Sequence, residues 1–444
     1  MKKPFLLKPY ALAWKLARPL LRRHKRLAAH FEERLVPKGW PNDFMPAICG
    51  LDTVHPPYRL WIHAASGGEA YLAREIVAEL APRLKELAII CTSMTEQGIE
   101  VLSKAQQEFS HSNCFIAVNY FPLDEPGLMR RALEQSFGPP SQAPRGVVFL
   151  ETEIWPGLLS ACRDFGVRAY ILNGRMTEGS HRSYRRIAGA LRRLAPRDVM
   201  ATGAKDVERF RDIFDQPGGP SRVSLMPNIK FDRVSPAGDG NKSLLSGLLP
   251  EKPLQVALLA SVRAEEEAEL QTVIDSLREK APQCCVIVAP RHLHRAEAWA
   301  GRLSGLKGFK RRSRGVEGLE SGDVVLWDAF GELMALYGLA TTAFVGGSLA
   351  PLGGQNFLEP LSFGVVPVIG PSWSNFYWVG GEPFKSGLVR QVENAAGLAD
   401  ALLEQLKSPP DKYAIKSAFA GYLKRHQGGA RHAADFLLKE LWGA

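Results

Sequence analysis

From Arg59 almost to the carboxyl end, short apolar runs of strand character alternate with segments of helical period. This alternation, met twice, constrains the fold more than any other feature. The first set of runs is RLWIHAAS, LAIICTS, CFIAVNYF, RGVVFLET, RAYILNG, DVMATG and VSLMPN. Between them stand helical stretches such as GEAYLAREIVAELAPRLKEL and HRSYRRIAGALRRLA. Continuously apolar strands separated by helices are the mark of βαβ units, because helices cover both faces of a parallel sheet and leave its strands no wet side. The stretch DRVSPAGDGNKSLLSGLLPEKP then breaks the rhythm with Gly, Ser, Pro and Asn, as an inter-domain connection does. A second set follows: LQVALLAS, CCVIVAPRH, DVVLWDAF, TAFVGGS and VPVIGP. At 444 residues the chain exceeds one ordinary core. The expectation is therefore an α/β protein of two doubly wound, Rossmann-like domains, residues 37–235 and 254–444, joined by a linker at 236–253. They are expected to face a central cleft, with ligands at the carboxyl ends of the strands.

Composition adds to this mainly through charge. The formal net charge of +10 implies an anionic partner, and nine Lys/Arg precede the first acidic residue, Glu32. Leu12, Leu16, Leu20 and Leu27, with Tyr10 and Trp14, give residues 1–36 the pattern of a basic amphipathic segment that lies on an anionic membrane surface. Pro19 is expected to kink it. A basic helix packed on the protein's own surface fits the same pattern. No apolar run there reaches the roughly 18 residues of a spanning helix, and a signal-peptide pattern is absent. The six cysteines form no CxxC pair, which points to a reducing compartment and no zinc site. No nucleic-acid recognition module is visible.

The chain lacks GxxxxGK[ST], GxGxxG, GxSxG and Asp-x-Asp, so the common ATPase, dehydrogenase, serine-hydrolase and metal-clamped sugar-nucleotide readings lose support. What remains clusters at strand ends. In HAASGGEAYLA, Glu69 opens a helix, where the dipole is expected to lower its pKa and keep it ionised as a base; an ordinary first-turn glutamate fits the same place. Glu151 and Glu153 follow an apolar strand, and alternation would aim both to one side, for a site or for a salt-bridge network. Arg291, His292 and Arg295 follow another apolar strand, where a phosphate would be met, although a solvated basic loop is the alternative. Gly331 and Glu332 form a turn able to present backbone N–H groups. Glycines 346, 347, 353 and 354 allow close backbone approach, and Asn356 shares a helical face with Glu359, which is placed to accept from paired sugar hydroxyls.

Taken together, the segments HAASGGE, ETEIWP, NGRMTEGSHRSY, PNIKFD, APRHLHR, FGELMALY and FVGGSLAPLGGQNFLEP make the chain resemble the Kdo transferases. These move 3-deoxy-D-manno-octulosonic acid (Kdo) from CMP-Kdo to lipid A precursor (lipid IVA). The segments run in the family's order between Trp61 and Pro371. The resemblance implies the GT-B fold, an N-terminal acceptor domain, a C-terminal CMP-Kdo domain, inversion at the anomeric carbon, and no cofactor or metal. It makes Glu69 the base, with Glu151 and Lys230 stabilising the transition state. Its donor-binding positions are Pro290, Arg291 and His292, then Gly331, Glu332 and Leu333, then Gly347 and Ser348, and finally Asn356, Phe357, Leu358 and Glu359. The implied location is the cytoplasmic face of the bacterial inner membrane.

The chain departs from the family pattern in three places. Gly67 stands where Val is common, which predicts a more flexible loop around Glu69. SVRAEEE replaces a Ser-Thr-His pattern followed by Gly-Glu-Glu, placing Arg263 and Glu265 near the donor. The N-terminal anchor is shortened and basic. Two rivals stand beside this reading: another GT-B enzyme with a different donor, or an epimerase, and a non-catalytic scaffold that binds anionic membranes.

Overall fold

The computed structural model describes residues 7–23, 30–36, 58–84, 87–109, 114–137, 146–215, 221–234 and 254–443. The chain divides into two compact units, Met1–Arg233 with His426–Ala444, and Val234–Arg425. The linker expected at 236–253 falls outside the described residues.

The first unit is built on a seven-stranded sheet: β1 (Tyr58–Ala64), β2 (Leu87–Ser93), β3 (Cys114–Tyr120), β4 (Gly146–Leu150), β5 (Arg168–Gly174), β6 (Asp198–Ala201) and β7 (Arg222–Leu225). Their order is β3-β2-β1-β4-β5-β6-β7, and every pairing is parallel. β2 and β4 are buried along their whole length, as strands covered on both faces must be. One face packs Trp61, Ile90, Phe149 and Ile171 against the helices that follow β3 and β4; the other packs Leu60, Ile89, Val148 and Leu172. The strand order reverses direction between β1 and β4, and it is outside such a switch point that an open α/β sheet leaves a crevice.

The second unit repeats the plan with β8 (Val256–Val262), β9 (Cys285–Pro290), β10 (Phe309–Arg311), β11 (Val324–Leu326), β12 (Thr342–Val345), β13 (Pro367–Ile369) and β14 (Arg390–Gln391). The order is β10-β11-β9-β8-β12-β13-β14, again parallel, with its switch point between β8 and β12.

The carboxyl boundary corrects the sequence expectation of a second domain running to 444. The helix Gly429–Leu437 buries Ala430, Ala433, Ala434 and Leu437, a stripe at helical spacing, against Leu60, Ile76 and Ile229 of the first unit. Asp232 accepts from the N–H groups of Gly428 and Ala430, both at 2.6 Å, and so caps this helix. A Cβ on Gly429 would lie 2.6 Å from Pro227 O and Ile229 N, so only glycine permits the approach.

The amino-terminal segment is likewise part of the first unit. The helix Leu7–Leu21 continues through Pro19 in its last turn. Its inner face carries Tyr10, whose hydroxyl donates to Asp124 at 2.7 Å, Arg18, which pairs with Glu125, and Trp14, which packs on the core. Asp124 also accepts from the N–H groups of Gly157 (2.7 Å) and Leu158 (2.8 Å) at the start of the helix Pro156–Phe165. The outer face leaves Leu12, Leu16 and Leu20 exposed by 57, 69 and 73%. Among the described residues no helix is long and apolar enough to cross a membrane. Further along, buried Arg34 donates to Phe121 O (3.0 Å) and Met94 O (2.8 Å), tying the ends of β3 and β2 together.

Candidate active site and donor pocket

In the first unit the two strands at the switch point each deliver a carboxylate. β1 ends at Ala64, and Ser66, in extended conformation, caps the helix Gly67–Leu80. The Ser66 hydroxyl oxygen accepts from Glu69 N (3.4 Å), while the Glu69 carboxylate accepts from Ala65 N (2.6 Å) and from the Ser66 hydroxyl (3.0 Å). These bonds to the cap residue's hydroxyl and to the N–H just before it fix the glutamate at the helix start. Burial, and then the charges of Glu153 and Glu151, push its pKa up to about 7. That overturns the expectation that the helix dipole holds it low: a dipole contributes about half a charge, less than desolvation and two like charges together. The result suits a base better, because a group titrating near neutral pH takes up a proton readily.

Gly67 is not a point of slack. It is buried at the start of the helix, and a Cβ there would lie 2.8 Å from Cδ of Gln97, whose side chain packs over it.

β4 ends at Leu150, so strand alternation does not govern the acids that follow. Glu151 takes a left-handed backbone (φ 57°), an uncommon conformation for a non-glycine residue and one that turns the chain abruptly. Its carboxylate pairs with Lys230 Nζ at 2.5 Å and stands 3.7 Å from Arg175. Burial pulls the Lys230 ammonium below its ordinary range, with the Glu151 charge opposing. Burial also raises Glu153. Glu69, Glu151, Glu153 and Lys230 are thus one electrostatically coupled group.

Sequence reasoning missed the residue that holds Lys230. Asn173, buried and left-handed at φ 55°, accepts from Ile229 N (2.9 Å), and Asn228 accepts from Lys230 N (3.0 Å). An asparagine just before Gly174 at a strand end was the available signal, since Asn tolerates the left-handed region.

In the second unit a cavity of about 460 Å³ opens at the carboxyl ends of β8, β9, β11 and β12. Ser261, Pro290, Arg291, Gly331, Leu333, Gln355, Asn356 and Glu359 line it. Asn356 and Glu359 meet as expected, the amide donating to the carboxylate at 2.9 Å. Burial raises the Glu359 carboxyl, offset by this bond and by the Arg291 charge.

The other expected donor residues act differently. Glu332 accepts from Arg312 (3.0 and 3.1 Å) and from the Trp327 indole (2.9 Å), so its carboxylate anchors the turn. Phe357 and Leu358 are fully buried, and Phe357 lies among Trp373, Phe376 and Phe384. His292 is exposed and stacks on His294. Arg295, expected to meet a phosphate, is held by both oxygens of Glu267 at 2.9 and 2.7 Å.

Gly347 and Ser348 belong to a glycine loop whose approach partner is the protein itself: a Cβ on Gly346 would fall 2.5 Å from Ser261 O. Beneath the loop lies Glu266, 1% exposed, accepting from the N–H groups of Gly347 (2.7 Å), Ser348 (2.9 Å), Leu349 (2.9 Å) and Arg263 (3.1 Å). In the acidic run AEEEAE nothing singled this glutamate out.

The fold has known counterparts. A glycosyltransferase from Rickettsia africae shares it with a TM-score of 0.54 at 10% identity, over 87% of this chain and all of that one. Two parallel seven-stranded units in succession make this a GT-B protein. Sequence comparison narrows the class: residues 14–233 match the family described as 3-deoxy-D-manno-octulosonic-acid transferase (kdotransferase). The 3-deoxy-D-manno-octulosonic acid transferase of Bordetella pertussis is 30% identical over 412 residues, 89% of this chain and 91% of that protein. That of Haemophilus influenzae is 28% identical over 86% of this chain and 87% of its own length. The chain belongs to the Kdo transferase family and is a glycosyltransferase.

Proposed function

We propose that the chain transfers Kdo from CMP-Kdo to a lipid A precursor, with inversion, in lipopolysaccharide biosynthesis. The observation that carries this reading is Glu69, a partly buried carboxylate fixed at a switch-point corner and titrating at about 7. It removes the proton from an acceptor hydroxyl as that oxygen attacks the anomeric carbon. The Glu151–Lys230 pair stabilises charge beside it. On the second unit the cavity holds the cytidylate, with Arg291 toward the phosphate and Asn356 and Glu359 toward the sugar hydroxyls. The departing CMP takes the bonding pair, and preformed donors meet its charge.

The acceptor carries acyl chains, and the helix Leu7–Leu21 suits a membrane face: its inner side is tied to Asp124 and Glu125, while Leu12, Leu16 and Leu20 point outward. Such a face lies on an anionic leaflet, the cytoplasmic surface of the inner membrane. Replacing the three leucines by serine is expected to abolish sedimentation with anionic vesicles and leave the melting temperature unchanged. Vesicle binding equal to that of the unaltered protein rejects the membrane face.

The catalytic reading is tested by CMP release from CMP-Kdo with lipid A precursor. Glu69→Gln is expected to slow turnover by ~10² to 10⁴ while CMP still binds. The unaltered enzyme's rate is expected to rise with pH and level off above about 7, where Glu69 is ionised. Turnover by Glu69→Gln at the unaltered rate removes the base from the scheme.

A further inference from the structure

One residue at the rim of the second-unit cavity has a use that the donor-binding positions do not include. Phe330 lines the cavity and is 90% exposed, the most exposed large hydrophobic side chain among those described. Leu293, on the same lining, is 45% exposed. The two side chains leave apolar surface open at the cavity's rim.

The loop that carries Phe330 is pinned at both ends. Trp327 N donates to Val288 O at 2.8 Å, and the Asp328 carboxylate accepts from Arg311 (2.5 Å) and from Ser313 N (2.8 Å). On the far side Glu332 accepts from Arg312 and Trp327. Between these anchors Phe330 is followed by Gly331, whose φ of 85° is open to glycine and whose Cβ position has no atom within 4 Å. An aromatic ring on a glycine pivot, held at fixed distance from the cavity, is able to swing without disturbing the fold. The cavity's polar groups already provide for phosphate and sugar hydroxyls. What they leave unmet is the flat, apolar face of a nucleobase.

We infer that Phe330 is the stacking lid of the donor pocket, closing over the pyrimidine ring of the bound cytidylate. The inference rests on the reading of this cavity as the CMP site and adds to it the residue that grips the base. Base–aromatic stacking of this kind changes affinity by on the order of 10-fold.

The test is calorimetric titration of the full-length protein with CMP and with ribose 5-phosphate, which lacks the base. Phe330→Ala is expected to weaken CMP about 10-fold, to leave ribose 5-phosphate unchanged, and to leave the melting temperature unchanged because the side chain is exposed. Phe330→Trp is expected to restore CMP affinity. If the unaltered protein binds CMP and Phe330→Ala binds it equally well, or loses CMP and ribose 5-phosphate alike, the lid is refuted while the pocket stands. If the unaltered protein takes no CMP, the cavity reading falls and the lid with it.

Discussion

At the scale of single residues, the site stores unfavourable electrostatics, and the sign of that cost is testable. Glu69 titrates at about 7 in the folded chain against 4.5 for an ordinary glutamate, so the folded state binds its proton more tightly than the unfolded state does. Linkage then makes this group's contribution fall as pH rises from about 4.5 to about 7 and stay low above that. Glutamine mimics the protonated carboxyl at every pH. Glu69→Gln is therefore expected to melt with the unaltered protein near pH 4.5 and above it at pH 8, the gap opening between them. Scanning calorimetry at both values checks this, and a constant gap would show that neither burial nor the neighbouring carboxylates disfavour the ionised form. Asn173 is the opposite case, a residue that stabilises. Asn173→Ala leaves the Ile229 N–H without its acceptor, at a cost of roughly 1 to 3 kcal/mol. It also loosens the turn bearing Lys230, so turnover is expected to fall while CMP affinity on the other unit stays constant.

At the scale of elements, the glycine loop after β12 shows how one buried side chain organises a segment without regular structure. Glu266 gathers three consecutive N–H groups of that loop, from Gly347 to Leu349. Glu266→Ala strands them, and the expected loss is about 2 to 4 kcal/mol. Gln355 and Asn356 enter the cavity a few residues further on, so the loss is expected to appear in the KM for CMP-Kdo before it appears in kcat. A variant with normal donor KM would reduce Glu266 to a purely structural residue. Of the fourteen strands among the described residues, twelve are legible as apolar runs, most of them because both faces are covered; β7, an exposed edge strand, is legible only by its Val223 and Leu225. β10 and β14 are not: they are the edges of the second sheet, only three and two residues long, and FKR and RQ carry no apolar run. Edge strands are kept short and charged for physical reasons, and that same chemistry hides them from a pattern search. Glu69 drew notice because it stands directly at a strand-to-helix corner, and Asn356 because it follows a run of glycines and precedes Glu359 by three residues, whereas Glu266 and Asn173 act on backbone remote in sequence.

At the scale of the whole molecule, the helix Gly429–Leu437 completes the core of the unit that the chain left some two hundred residues earlier. A helical stripe shows that a helix will be buried but carries no record of which sheet it covers, so nothing in Ala430, Ala433, Ala434 and Leu437 themselves assigns them to the first unit. The consequence is a domain dependence that runs backward along the chain. Ending the protein after Arg425 removes the apolar cover of Leu60, Ile76 and Ile229 and leaves Asp232 without the two N–H groups it caps. Leu437, Leu438 and Leu441 go as well; losing buried leucines costs about 2 to 5 kcal/mol each where the site cannot collapse, enough together to exhaust the stability of a typical domain. The second unit keeps its sheet and its cavity, every lining residue of which lies before 426. The truncated chain is therefore expected to lose the melting transition of the first unit, and all transfer activity with it, while still binding CMP with near-normal affinity. If CMP binding is lost instead and the first unit melts normally, this helix belongs energetically to the second unit, and the division of the chain into these two bodies is wrong.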